Sequence, residues 1–156
     1  MNAIELLDIV GEKETSVVQF KREFPRSNED LAAEIIAMAN SLGGVILLGV
    51  ADKTGEIVGV DLNSDINERI ANIATNNVNP PIYIHTEVVS IPKGSSSLKV
   101  LVVHVARNPN RIYKDNNGAI WVKQGSDKRR VTDDAEILRL YQQSGNLQAD
   151  EMEVYD

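Results

Sequence analysis

The segment Val45-Ile46-Leu47-Leu48-Gly49-Val50-Ala51 is short, almost wholly apolar and polar on neither face. Such a run reads as a strand covered on both sides, so the rest of the chain has to supply packing for two faces of a sheet. One partner immediately precedes it. Leu31, Ile35, Met38, Ala39 and Leu42 recur at helical spacing and give that helix a buried face. Ser27-Asn28-Glu29-Asp30 provides an N-cap and early acids, which suit the positive end of a helix. Gly43-Gly44 stops it, because glycine enters the left-handed cap conformation without steric cost.

Ile4, Leu6, Leu7 and Val10 form a short opening helix that ends at Gly11, and Val17, Val18 and Phe20 read as a β segment. Asp52-Lys53-Thr54-Gly55 supplies turn chemistry, and Glu56 to Val60 is expected to return as a second strand. A helix over Ile66, Ile70, Ile73 and Ala74 stops at Asn79-Pro80-Pro81. Residues 82–91 and 98–106 are β-rich, and the stretch from Pro92 to Ser97 reads as a loose hairpin loop. Ala119 to Lys123 is a further strand, and Thr132-Asp133-Asp134 caps a last helix through Ile137, Leu138 and Tyr141. Hairpins mixed with helices predict an α+β or mixed α/β fold: a single compact domain over residues 1–143 with a mixed sheet flanked by helices. The tail from Ser144 is acidic, without periodic apolar residues, and is expected to be disordered or a linker.

At 156 residues the chain has the length of one domain, and it has no cysteine, which removes disulfides and thiolate metal sites. No apolar run reaches the roughly 20 residues that span a bilayer, so no membrane partner is expected and the protein is expected to be soluble and cytoplasmic. The net charge of −7 speaks against nucleic acid until its distribution is considered. Residues 107–130 hold seven Lys/Arg against two Asp/Glu, a basic stretch inside an acidic chain. Its cations are Arg107, Arg111, Lys114, Lys123, Lys128, Arg129 and Arg130, interleaved with Tyr113 and Trp121, which can stack on bases. Alternation puts Trp121 and Lys123 on one strand face, and Gly125-Ser126 can present N–H groups to a phosphate. A solvated surface with Trp121 in the core is the competing reading.

Other constellations compete with this one. Glu14 stands before the first strand, Lys21 at its end and Asp52 after the buried strand. If those strands are neighbours, two carboxylates and a lysine meet at one sheet edge and can bind a divalent cation for phosphodiester cleavage. The alternative is acids that cap turns and face water. Gly43-Gly44 and Gly49 raise the question of a nucleotide site, but no phosphate-loop pattern is present, and these glycines follow a helix instead of preceding one. His85 falls opposite His104 if the hairpin turns at Gly94-Ser95, a pair that can be structural, metal-binding or pH-sensitive.

Several runs carry a family likeness: Glu14-Thr15-Ser16-Val17-Val18-Gln19-Phe20-Lys21, Ile36-Ala37-Met38-Ala39-Asn40-Ser41-Leu42-Gly43-Gly44, Leu48-Gly49-Val50-Ala51-Asp52 and Gly55-Glu56-Ile57-Val58-Gly59. With Asn79-Pro80-Pro81 and Trp121-Val122-Lys123-Gln124-Gly125-Ser126 they closely resemble the Schlafen-type AlbA-like DNA-binding domain, over about residues 10–142. The resemblance implies a nucleic-acid-binding domain of bacterial and archaeal transcriptional regulators, often followed by a winged helix. It also implies comparison with an RNA-cleaving animal version built on three carboxylates. Glu14 and Asp52 match the first and third, and Gln19 stands at the second. Glutamine keeps the shape but loses the charge, is a weaker metal ligand and cannot act as a base.

The leading expectation is a DNA-binding module, with Lys21, Arg22, Arg107, Arg111, Lys114, Lys123, Lys128, Arg129 and Arg130 toward DNA or RNA, and with no cofactor and no metal. The alternatives are an Mg²⁺- or Mn²⁺-dependent endoribonuclease using Glu14 and Asp52, and an interaction domain that forms a homodimer through the apolar 82–106 hairpin.

Overall fold

A computed structural model describes residues 1–63 and 65–145. The expected acidic tail lies outside the described residues from position 146 onward. Helix α1 (Ala3–Gly11) leads into β1 (Val18–Lys21), and α2 (Asn28–Ala39) then connects β1 to β2 (Gly44–Leu48). Strands β1 and β2 are parallel. After α3 (Ile66–Asn76) come β3 (His85–Lys93) and β4 (Ser96–Val105), an antiparallel pair that joins β2 through β4. The sheet order is β1-β2-β4-β3, a mixed sheet as expected.

Alternation along the strands sorts the core into two layers. Ile46, Leu48, Leu101 and Val103 pack with Leu31, Ile35 and Met38 of α2 and with Ile70 and Ile73 of α3. Phe20, Leu47, Val100 and Val102 pack on the opposite side with Leu6 and Val10 of α1. The apolar strand around Leu47 is therefore covered on both faces. Ser27 caps α2 by accepting the Asp30 N–H on its Oγ at 3.3 Å. Every residue of this helix from Leu31 to Ala39 is buried, more than the single face its periodicity suggests. The reason is a second layer over its outer side.

That layer is a separate two-stranded sheet of β5 (Ile120–Gln124) and β6 (Asp127–Val131). The register sets Trp121 opposite Arg130 and Lys123 opposite Lys128 on the side toward α2. Ile120, Val122 and Val131 face the other way and pack with Ile137, Leu140 and Tyr141 of α4 (Asp134–Gln143). Two expectations need correction. The segment Glu56 to Val60 is not a regular strand: Val58 and Gly59 both donate to Gly49 O, and Val60 donates to Lys99 O, so the chain crosses from β2 to β4. The 92–97 loop is not loose either, since pairing continues to Lys93 opposite Ser96 and leaves a Gly94-Ser95 turn.

The end of α2 is a junction. Asn40 caps the helix, and its Nδ2 donates to Tyr113 O and Trp121 O, each at 2.9 Å. Its Oδ1 accepts the Tyr113 N–H at 2.9 Å, and Ser41 Oγ accepts the Lys123 N–H at 2.9 Å. One polar pair thus fastens β5 to the main core. Gly43 follows with φ +72° and donates to Met38 O at 2.8 Å. Gly44 has φ +147°, and a Cβ there would lie 2.2 Å from Val17 O, so only glycine lets β2 start beside β1.

Replacing Asn40 by Ala removes the three side-chain bonds and is expected to cost about 2 kcal/mol, because partly buried backbone groups lose their partners. Asn40→Asp is expected to cost at least as much, since a carboxylate has no N–H for the two carbonyls. Urea unfolding of both variants tests this, and a loss below about 0.5 kcal/mol in each would show that apolar contacts alone hold the hairpin.

Candidate nucleic-acid interface

Strand β1 sends Val18 and Phe20 toward α1, so Gln19 and Lys21 point toward α2 and the β5–β6 hairpin. On that side they enter a continuous polar network. Glu14 Oε1 accepts from Gln19 Nε2 and from the Phe20 N–H, both at 2.8 Å. Gln19 Oε1 accepts from Lys123 Nζ at 2.9 Å, and Lys123 also donates to Ser126 O at 2.8 Å. The Lys123 side chain is 1% exposed, and its ammonium lies 3.9 Å from Oε2 of Glu34, itself 5% exposed. Glu34 Oε1 faces Lys128 Nζ at 3.1 Å and Lys21 Nζ at 3.5 Å. At the outer end Asp30 Oδ2 faces Lys21 at 3.4 Å and Asp30 Oδ1 faces Lys128 at 3.3 Å.

The network shifts its members in different directions. Burial pushes the Glu14 carboxyl up, against the Phe20 hydrogen bond, and the charge of Asp52 adds to the rise. Burial lowers the Lys123 ammonium, against the pull of Glu34 and Glu14. Lys128 feels burial too, yet the charge and hydrogen bond of Glu34 with those of Asp30 raise it. Asp30 is likewise opposed by burial, but Lys21 and Lys128 outweigh that and hold its carboxyl below the usual range.

The residues expected to meet nucleic acid therefore fall into three groups. Lys123 is enclosed and is occupied by Gln19 and Ser126. Lys21 and Lys128 sit at the mouth of the network, and Arg129 makes a two-pronged pair with Glu136 of α4 at 2.9 and 2.6 Å. Lys114 Nζ lies 5.3 Å from the centre of the Tyr141 ring. Arg22, Arg107, Arg111 and Arg130 are exposed and make no ion pair among the described residues. Trp121 is half-buried, packs on the main core and donates its indole N–H to Asp115 at 3.1 Å. Gly125-Ser126 forms the hairpin turn, and Ser126 O serves Lys123.

Glu14 and Asp52 do come together electrostatically, as the neighbouring strands allow. Gln19 and Phe20 direct two N–H groups at one Glu14 oxygen, and among the described residues no group of three or more His, Cys, Asp or Glu is placed to hold a metal. His85 does lie opposite His104, with ring centroids 5.5 Å apart, while His104 Nε2 engages Glu87 at 2.6 Å. Sequence reading missed Glu34 and Asp30. The available signal was Glu34 itself, the one charged residue from Leu31 to Ala51.

A depressed carboxyl stabilises the fold above its unfolded pKa, and that contribution disappears as pH falls through the native value. The Asp30 side chain is 42% exposed, so solvent screening limits its worth to under about 1 kcal/mol. Wild type and Asp30→Asn are expected to differ by that amount at about pH 7 and to converge near about pH 2 in urea titrations. A gap independent of pH would refute the assignment.

The chain matches the family model described as Schlafen, AlbA_2 over residues 14–132, from Glu14 to just beyond β6. Among solved structures it is similar to the DIP2311 protein of Corynebacterium diphtheriae, with 25% identity and a TM-score of 0.60 over 92% of this chain. It spans 32% of that protein's chain. It also shares its fold with the N-terminal domain of a candidate ATP-dependent DNA helicase RecG-related protein of Nitrosomonas europaea, at 22% identity and a TM-score of 0.56. That likeness covers 86% of this chain and 96% of the other. The comparison with curated proteins gave no match. With its motifs, its mixed sheet and a family match that runs through the polar network, the chain belongs to the Schlafen AlbA_2 family.

Proposed function

We propose that this domain binds nucleic acid, DNA in the first instance, through the phosphate backbone, as the binding module of a transcriptional regulator. The observation that carries the reading is that four exposed arginines, Arg22, Arg107, Arg111 and Arg130, have no anionic partner among the described residues of a member of this family. In a chain of net charge −7 those side chains keep their positive charge unpaired among the described residues, whereas Lys21 and Lys128 are paired with carboxylates. The chain spans 32% of one longer similar protein, in keeping with one module of a larger chain; a regulator with a winged helix after this module is part of the proposal. No helix among the described residues is long and apolar enough to cross a membrane, and a cytoplasmic location suits a DNA partner.

Phosphate contacts give affinity without base readout, so binding should be tolerant of sequence and strongly dependent on salt. Fluorescence anisotropy with a labelled duplex across a salt series is the test. Replacing Arg107, Arg111 and Arg130 together by Ala is expected to weaken binding at least about tenfold at low salt and to flatten the log–log salt slope by about 0.9 for each lost phosphate contact. No binding by the wild type at low salt, or an unchanged slope in the variant, overturns the reading.

The endoribonuclease alternative rests on the closeness of Glu14 and Asp52. Gln19 stands against it, because it supplies an amide where a third carboxylate would sit and already donates to Oε1 of Glu14. The wild type is expected to leave structured RNA intact in Mg²⁺ or Mn²⁺. Metal-dependent cleavage abolished by Asp52→Ala would establish the nuclease, and activity gained only in Gln19→Glu would identify the glutamine as the block.

A further inference from the structure

We infer that Asp30 is an internal stand-in for a nucleic-acid phosphate: Lys21 and Lys128 form a phosphate-binding pair that Asp30 occupies in the free protein. The inference rests on the nucleic-acid reading and adds to it a competitor built into the same site.

The two ends of the polar network differ in their access to solvent. Its inner end, Glu34 and Lys123, is 5% and 1% exposed and is shut in by the hairpin. The side chains at its outer end are 42% exposed for Asp30, 22% for Lys21 and 23% for Lys128. An anion from solution can therefore reach the lysines at the place where Asp30 stands. One carboxylate bridges two ammoniums from separate strands, one oxygen to each. Phosphate offers the same arrangement, two anionic oxygens to two cations.

The contacts are long for their type. Asp30 meets the lysines at 3.3 and 3.4 Å, whereas charge-assisted N–H···O bonds close to about 2.7–2.9 Å. The carboxylate bridges the lysines through long hydrogen bonds, which an anion that approaches more closely can replace. Glu34 is buried below and keeps both ammoniums at the mouth when Asp30 is displaced. The surroundings carry further positive charge. Exposed Arg22 adjoins Lys21 in sequence, and Arg130 lies two residues beyond Lys128 on the same face of β6. Of the acids in the network, only Asp30 is set between cations and open to solvent.

Removing one negative charge here should strengthen binding. Asp30→Asn keeps the helix start, because Ser27 caps through the backbone N–H of residue 30. In anisotropy titrations with a labelled DNA duplex, Asp30→Asn is expected to bind about five- to tenfold tighter than wild type at about 50 mM salt, with a log–log slope steeper by about 1–2. Glu29→Gln removes the same charge one residue away, from an exposed side chain that bonds to Ser27 and to its own backbone and pairs with no lysine among the described residues, and should change affinity less than about twofold. Adding Lys128→Gln to Asp30→Asn should erase the gain.

If the wild type binds and Asp30→Asn binds no tighter, the stand-in role is wrong while the nucleic-acid reading survives. An equal gain in Glu29→Gln also overturns it, since the effect would then be one of overall charge. If neither wild type nor Asp30→Asn binds at low salt, the nucleic-acid reading itself falls, and the inference with it.

Discussion

A carboxylate inside the main core governs how this molecule is assembled. Glu34 is buried in a helix whose neighbours include alanine, isoleucine and methionine. A charge in such surroundings is tolerated only when cations and hydrogen bonds reach it. The chain brings them from β1 as Lys21, from β5 as Lys123 and from β6 as Lys128. Lys21 lies far in sequence from the hairpin that carries Lys123 and Lys128, so Glu34 helps select the position in which the small sheet settles on α2. One of its oxygens, Oε2, lacks a hydrogen-bond partner although Lys123 is nearby. The hairpin is thus held by neutral bonds at Asn40 and Ser41 and by charge at Glu34.

The parts of the fold that follow hydrophobic periodicity were legible in the sequence. Val45 to Ala51 announced a strand covered on both faces, and Ser27 announced the start of α2. Strand β6 was not legible, because four of its five residues, Asp127, Lys128, Arg129 and Arg130, are charged. Its alternation exists only in what each side chain meets: Glu34 and Asp30 on one side, Glu136 and α4 on the other. Glu56 to Val60 misled in the opposite sense. Its apolar residues suit a strand, but Gly49 O takes two successive N–H groups and the backbone then moves to Lys99. That bond pattern depends on tertiary neighbours, which composition does not contain.

The site was legible as a family motif and much less so as a charge map. Counting charges over residues 107–130 treats each cation as available. Folding consumes several of them: Lys123 is enclosed, Lys128 serves two carboxylates and Arg129 is tied to Glu136. What stays open is mainly arginine at the periphery, Arg107, Arg111 and Arg130. Gln19 reads differently as well. From sequence it is a missing acid; in the fold it is a bridge, with its amide N–H toward Glu14 and its oxygen toward Lys123. A glutamate there would lose the donor that Glu14 accepts from, although it would keep the acceptor for Lys123.

The two kinds of glycine in the chain set different limits on divergence. At Gly125 no atom lies within 4 Å of where a Cβ would sit, so replacing it costs only backbone strain of about 1–2 kcal/mol. At Gly44 the same atom would overlap a carbonyl of the neighbouring strand. Descendants of this chain can therefore rewrite the outer turns, and with them the outline a partner meets, while the seam between β1 and β2 admits a single residue type. A lineage would then carry an old, unchanging floor beneath a rim that is renewed.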